Sequence, residues 1–136
     1  MSTLSTTNLK NPSASGNNIV LGASGRVTVA SATATIVTLT DGATITPDLD
    51  AGCNFAVTLG GNRTIANPSN IAAGQSGSIF ISQDATGSRT ASFGSYWDFP
   101  GGGAPTLTTA ASAVDRVDYV VRSATSIHAV FTANYS

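Results

Sequence analysis

The sequence predicts an all-β fold: a single antiparallel β-sandwich or jelly-roll-like barrel carrying an extended N-terminal arm. Three observations predict it. The first is residue usage, in which 20 Ala, 19 Thr, 17 Ser and 14 Gly stand beside a single Lys (Lys10) and no Glu in 136 residues. Helix faces draw on the straight side chains of Glu, Lys, Leu, Met and Gln, which lose little rotamer freedom there. Here β-branched Thr, Val and Ile outnumber them. The second is strict apolar/polar alternation in several short runs, the period of a strand with one face buried. The third is turn chemistry that recurs roughly every 8 to 12 residues, the spacing of an all-β domain with about ten short strands.

Residues 1–17 are polar and carry no sustained periodicity, so they read as an arm, and residues 18–136 read as the β-sandwich domain. Asn18-Ile19-Val20-Leu21 and Arg26-Val27-Thr28-Val29-Ala30 flank Gly22-Ala23-Ser24-Gly25 and predict a first hairpin. Residues 34–40 are rich in β-branched side chains, Asp41-Gly42 supplies a turn, and Ala43-Thr44-Ile45-Thr46 follows until Pro47, which has no N–H for a ladder. Phe55, Val57 and Leu59 share one strand face, and Gly60-Gly61-Asn62 leads into Arg63-Thr64-Ile65-Ala66 as a second hairpin.

Residues 67–77 read as a loop with one helical turn near Asn70 to Ala73. Ser78 to Ser82 and Ser88 to Phe93 flank Asp84-Ala85-Thr86-Gly87 as a third hairpin. Residues 94–105 form a long loop with an aromatic knot and three glycines, followed by a short strand at Thr106 to Thr108. The clearest alternation comes last. Val117, Tyr119 and Val121 interleave with Asp118, Val120 and Arg122, and Ile127, Ala129 and Phe131 interleave with His128, Val130 and Thr132, joined by Ser123-Ala124-Thr125. No repeat of 20 to 50 residues stands out, which disfavours a solenoid.

Charge excludes several partners. Six basic against seven acidic residues leave a net charge of −1, with only 10% charged residues, so neither nucleic acid nor an anionic membrane is attracted over distance. No run approaches the roughly 18 apolar residues of a membrane span. The opening has no basic segment followed by an apolar run, so the reading is a protein made and folded in the cytoplasm. A surface of neutral Ser, Thr, Ala and Gly suits close packing in an assembly.

Catalytic constellations are lacking, and no catalytic, cofactor or metal residues are assigned. His128 is the one imidazole and sits in a predicted strand, and without Glu only seven aspartates remain for acid/base work. Asp41, Asp48, Asp50, Asp84 and Asp98 fall at turns or in loops, where carboxylates cap backbone N–H groups. Asp48-Leu49-Asp50-Ala51-Gly52 faintly echoes a calcium loop but lacks its third ligand and distal Glu. Gly101-Gly102-Gly103 has no following Gly-Lys-Ser/Thr and is no phosphate cradle. Cys53 is the sole cysteine and reads as an inert core thiol, and Asn62-Arg63-Thr64 reads as a turn rather than a glycan acceptor. The candidate recognition loop is Tyr96, Trp97 and Phe99, three of nine aromatic residues within four positions. The alternative for that loop is that Trp97 and Phe99 fold inward to supply bulk to Ala- and Thr-rich strands.

Several runs resemble a β-domain that recurs in virion proteins of tailed bacteriophages. They are Asp41-Gly42-Ala43-Thr44-Ile45-Thr46-Pro47-Asp48, Thr58-Leu59-Gly60-Gly61-Asn62-Arg63-Thr64-Ile65-Ala66-Asn67-Pro68, Ala73-Gly74-Gln75-Ser76-Gly77, Ser82-Gln83-Asp84-Ala85-Thr86-Gly87-Ser88-Arg89-Thr90 and Phe99-Pro100-Gly101-Gly102-Gly103-Ala104-Pro105-Thr106-Leu107. The opening from Thr3 to Ser13 with Asn18-Ile19-Val20-Leu21 is similar to the start of such proteins. The resemblance implies a non-enzymatic virion structural protein without cofactor, displayed on the virion surface. Because arm and domain nearly abut, with little shaft between them, the layout is similar to capsid decoration or cement proteins. That implies an arm gripping the major capsid protein, with Leu4, Leu9, Lys10 and Pro12 as anchors, and a β-domain that forms a homotrimer. The alternative is a small tail fibre or tail-tip adhesin that associates with tail proteins and binds a host surface glycan through the aromatic loop.

Overall fold

The computed structural model describes residues 31–135, which hold nine strands, one 3-10 turn at Pro100–Gly102 and no α-helix. The strands are β1 (Ile36–Thr38), β2 (Thr44–Ile45), β3 (Asn54–Leu59), β4 (Arg63–Ile65), β5 (Ser76–Gln83), β6 (Ala91–Phe93), β7 (Trp97–Asp98), β8 (Val114–Ser123) and β9 (Ser126–Thr132). They form a six-stranded sheet in the order β1-β3-β5-β8-β9-β7 and a three-stranded sheet in the order β2-β4-β6. The all-β expectation holds. The arm, its anchors Leu4, Leu9, Lys10 and Pro12, and the hairpin expected over residues 18–30 lie outside the described residues.

The expectation of antiparallel pairing is corrected for most of the domain. Successive strands alternate between the sheets, so β1, β3 and β5 run parallel in one and β2, β4 and β6 run parallel in the other. Three turns of a two-sheeted coil result, and the disfavoured solenoid arrangement is present in short form. Alternation had placed β3 and β5 correctly because it reports which face is buried; it says nothing of a neighbour's direction. At Gly60-Gly61-Asn62 and Asp84-Ala85-Thr86-Gly87 the chain turns a corner into the other sheet instead of reversing within one. Gly61 lies under the Arg63 guanidinium at its corner, and a Cβ there would stand 2.6 Å from a guanidinium nitrogen and displace the end of that side chain.

The last expected hairpin is present. β8 and β9 pair antiparallel from Arg116↔Thr132 to Ser123↔Ser126, with a bulge between Val121 and Ser123, and β8 pairs antiparallel with β5. Two local expectations change. Thr106 to Thr108 is no strand, because Thr108 gives its backbone N–H to Asp115 Oδ2 (2.8 Å) and its hydroxyl to Oδ1 (2.7 Å). Trp97–Asp98, expected in a loop, is a strand that pairs parallel with Ile127 and His128. Residues 70–73 hold no helical turn.

One core joins the sheets. Phe55, Val57 and Leu59 of β3, Ile79 and Ile81 of β5, Val117, Tyr119 and Val121 of β8 and Ile127 of β9 meet Ile45 and Ile65 from the smaller sheet. At roughly 25 cal/mol per Å² of apolar surface, this burial is what offsets the conformational entropy of a strand-rich chain. Buried Asp115 accepts a third bond, from the Asn134 N–H at 2.8 Å, so both of its carboxyl oxygens have hydrogen-bond partners within the core.

Polar side chains tie each turn of the coil to the next. Arg63 binds Asp41 through two nitrogens, Asp48 Oδ1 accepts from Asn70 Nδ2 at 2.7 Å, Asn62 Oδ1 accepts the Thr90 N–H at 3.1 Å, and the Thr64 and Ser92 hydroxyls bond at 2.9 Å. The same chemistry explains the turn aspartates. Asp48 Oδ1 also accepts the Asp50 N–H, and Asp84 Oδ1 accepts those of Thr86 and Gly87 while Oδ2 holds Arg89.

Candidate interaction face

The aromatic knot lies largely inside. Trp97 is 7% exposed and Phe99 9%. β7 aims Trp97 inward, where its Nε1–H donates to the Ala66 carbonyl (3.0 Å) and its ring meets Phe93 and Tyr119 edge-on, each with centroids 5.9 Å apart. Phe99 stands edge-on to Phe93 at 4.9 Å. Tyr96 is half-buried, its N–H donating to Asn67 Oδ1 (2.9 Å) and its carbonyl accepting the Ile127 N–H (2.7 Å). Four aromatic rings thus plug one end of a core otherwise lined by Phe55 and the aliphatic side chains of the strands. What the loop offers solvent is the turn after them, Pro100 to Ala104, where Gly101 and Gly102 adopt φ of 80° and 77° that a side chain would strain.

Beside that turn is a groove of about 530 Å³. Its floor is the outer surface of β8 and β9, with Val120, His128 and Val130 projecting from it, and its wall is Asp98, Phe99 and Pro100. Asp98 Oδ2 accepts the Ser126 hydroxyl (2.7 Å). Asp118 borders the groove with both oxygens engaged, Oδ1 by the Ser78 hydroxyl (2.6 Å) and Oδ2 by Arg116 (2.8 Å). The sequence signal for this face was present in β8 and β9. Val120 and Val130 occupy the polar phase of their alternation, beside Asp118, Arg122 and His128.

Electrostatic perturbation is concentrated away from the groove, at the coil corners. The Arg63 guanidinium holds the Asp41 carboxyl below its ordinary value, Asn70 does so for Asp48, and Arg89 for Asp84. In the core, burial pushes Tyr119 up to about 12, with a further rise from the nearby Cys53 thiol, while its hydroxyl donates to the Cys53 carbonyl at 2.8 Å. These shifts belong to groups engaged in holding strands together, which is a structural use of charge. Among the described residues no group of three or more His, Cys, Asp or Glu is placed to hold a metal ion.

A coil of strands fastened by corner ion pairs, with its aromatic residues folded into one end, has the build of a structural β-domain. Residues 45–124 match the family model described as "Putative phage tail fibre C-terminal domain". This span covers more than half of the chain and runs from β2 through β8, so the chain belongs to that family and is a phage virion structural protein. No curated protein and no solved structure matches it.

Proposed function

We propose that this chain is a non-catalytic tail-fibre or tail-tip domain that contacts the host cell, with a surface saccharide as its ligand. The single observation that carries this reading is the match to a tail-fibre domain over residues 45–124, from the end of β2 through β8. It supports the tail better than the capsid-decoration role suggested by the arm and compact domain. The virion surface is the location this role requires. The solvent-facing Pro100 to Ala104 turn is the segment of the aromatic loop available for contact, since Trp97 and Phe99 are held in the core.

Quantitative mass spectrometry of purified virions tests the assignment by counting this chain against the major coat protein. A handful of copies per particle is the expected result. A copy number on the scale of the coat itself would overturn it in favour of a capsid decoration role.

A further inference from the structure

We propose that the outer face of the six-stranded sheet, centred on Val120 and Val130, is the surface through which one copy of this chain binds a second. The proposal is independent of where on the virion the protein sits.

The two outward faces of the domain differ in kind. On the three-stranded sheet, Thr44, Thr64 and Ser92 stand in one row by register, and the last two share a hydroxyl–hydroxyl bond. That is a face finished for water. On the six-stranded sheet, Val120 is 53% exposed and Val130 56%. Val120 pairs with His128 and Asp118 with Val130, so the two valines are diagonal neighbours on adjacent strands. One register row continues from Val130 through Asp118, Ser78 and Asn54 to Ile36, itself 52% exposed. The fourth exposed large apolar residue among those described, Tyr135, lies under the guanidinium of Arg116, which projects from the same face. All four exposed large apolar side chains among the described residues therefore belong to one side of the domain; Val120 and Val130 are its apolar centre, and Asp118, Ser78 and Asn54 stand between them and Ile36.

Charge selects a second copy as the occupant. Arg63, Arg89 and Arg116 each have a carboxylate within their own chain, at 2.7, 2.7 and 2.8 Å. Among the described residues Arg122 has none, and Asp98 on the same face has no cation. Both flank the Val120–His128 pair, Arg122 two residues along β8 and Asp98 across β9. A face that carries one uncompensated cation and one uncompensated anion around an apolar centre is complementary to itself: Arg122 can meet the partner's Asp98. The size also suits. The 36 residues of the sheet's six strands, at about 3.3 Å each and about 4.8 Å between strands, give on the order of 600 Å² before loops are added, close to the roughly 800 Å² per partner of a stable interface.

Sedimentation equilibrium on the full chain tests this, using Val120→Asp, Val130→Asp, Asp98→Arg, Arg122→Asp and the double variant Asp98→Arg/Arg122→Asp. The wild type is expected to associate at micromolar concentration, and each single variant to weaken association by about tenfold or more. The double swap should recover much of that loss, because the pair is restored with its signs reversed. These side chains are exposed, so circular dichroism should report an unchanged fold. If a valine variant fails to fold, the charge swaps still decide. A wild type of single-chain mass throughout, or a double swap no better than either single one, overturns the proposal. So does a monomer whose Val120 and Val130 methyl resonances shift on addition of methyl α-glucoside, which would give the face to a saccharide.

Discussion

The guanidinium of Arg63 grips the carboxylate of Asp41 with both ends of its fork, Nε lying 2.8 Å from Oδ1 and a terminal nitrogen 2.7 Å from Oδ2. Asp41 follows β1 and Arg63 opens β4, so this one pair joins the first turn of the coil to the second. Arg63→Lys should not substitute, because an ammonium cannot reproduce the planar two-point contact. Both Arg63→Lys and Arg63→Ala should lower Tm modestly, and the difference from wild type should shrink in high salt, as expected of a partly exposed pair. Thermal melts at low and high ionic strength check this.

Acid should loosen the corners before it affects the core. Asp41, Asp48 and Asp84 are all held below the ordinary 3.8. Their contribution to stability is fully present above that unfolded-state value and is lost as pH falls through the lower folded values. Urea midpoints should therefore be flat from neutral pH to about 5 and drop below 4. Asn in place of Asp41 and Asp84 together should flatten that acid limb.

Trp97→Ala should cost about 3–5 kcal/mol, the usual range for removing a buried aromatic side chain. Trp97→Phe keeps most of the packing but leaves the Ala66 carbonyl without its donor, and should cost about 1 kcal/mol. Chemical denaturation of both variants separates these contributions. A fully stable Trp97→Ala protein would show that the indole is not the plug described above.

Tyr119 and Gly77 form a second, local test. A Cβ at residue 77 would overlap the Cys53 carbonyl and come within 3.0 Å of the Tyr119 hydroxyl, so Gly77→Ala must push β5 away from that site. It should destabilise by about 1–3 kcal/mol, the scale of an overpacked core. With its pKa raised from 10.0 to about 12, Tyr119 contributes stability that is present below pH 10 and lost as pH rises through 12. Tyr119→Phe should remove that alkaline decline while costing about 1 kcal/mol at neutral pH for the lost hydroxyl bond.

Much of this architecture was legible in local patterns, and its limits were physical. β3, β5, β8 and β9 were visible because each has one face in a common core, and the β8–β9 reversal because its turn is short. The coil was hidden by unequal turns. Ile36 pairs with Asn54, 18 residues on, but Asn54 pairs with Ser78, 24 on; in the other sheet Thr44 pairs with Thr64, 20 on, and Arg63 with Ala91, 28 on. No fixed period survives such variation. Turn residues at Gly60-Gly61 and Asp84 to Gly87 mark a change of direction without saying into which sheet the chain goes. The aromatic cluster was visible as a cluster, but its inward direction follows from tertiary pairing: β7 lies beside β9 and turns Trp97 against Phe93 and Tyr119. The interaction face needed register as well: Val120 and Val130 become neighbours only once β8 and β9 are paired, and Ile36 joins their side of the sheet only after five strands are aligned.

Antibody raised against the purified chain and imaged by electron microscopy on intact virions tests the tail assignment most directly. Label confined to the tail or its tip is the predicted result. Label spread evenly over the capsid shell would contradict it.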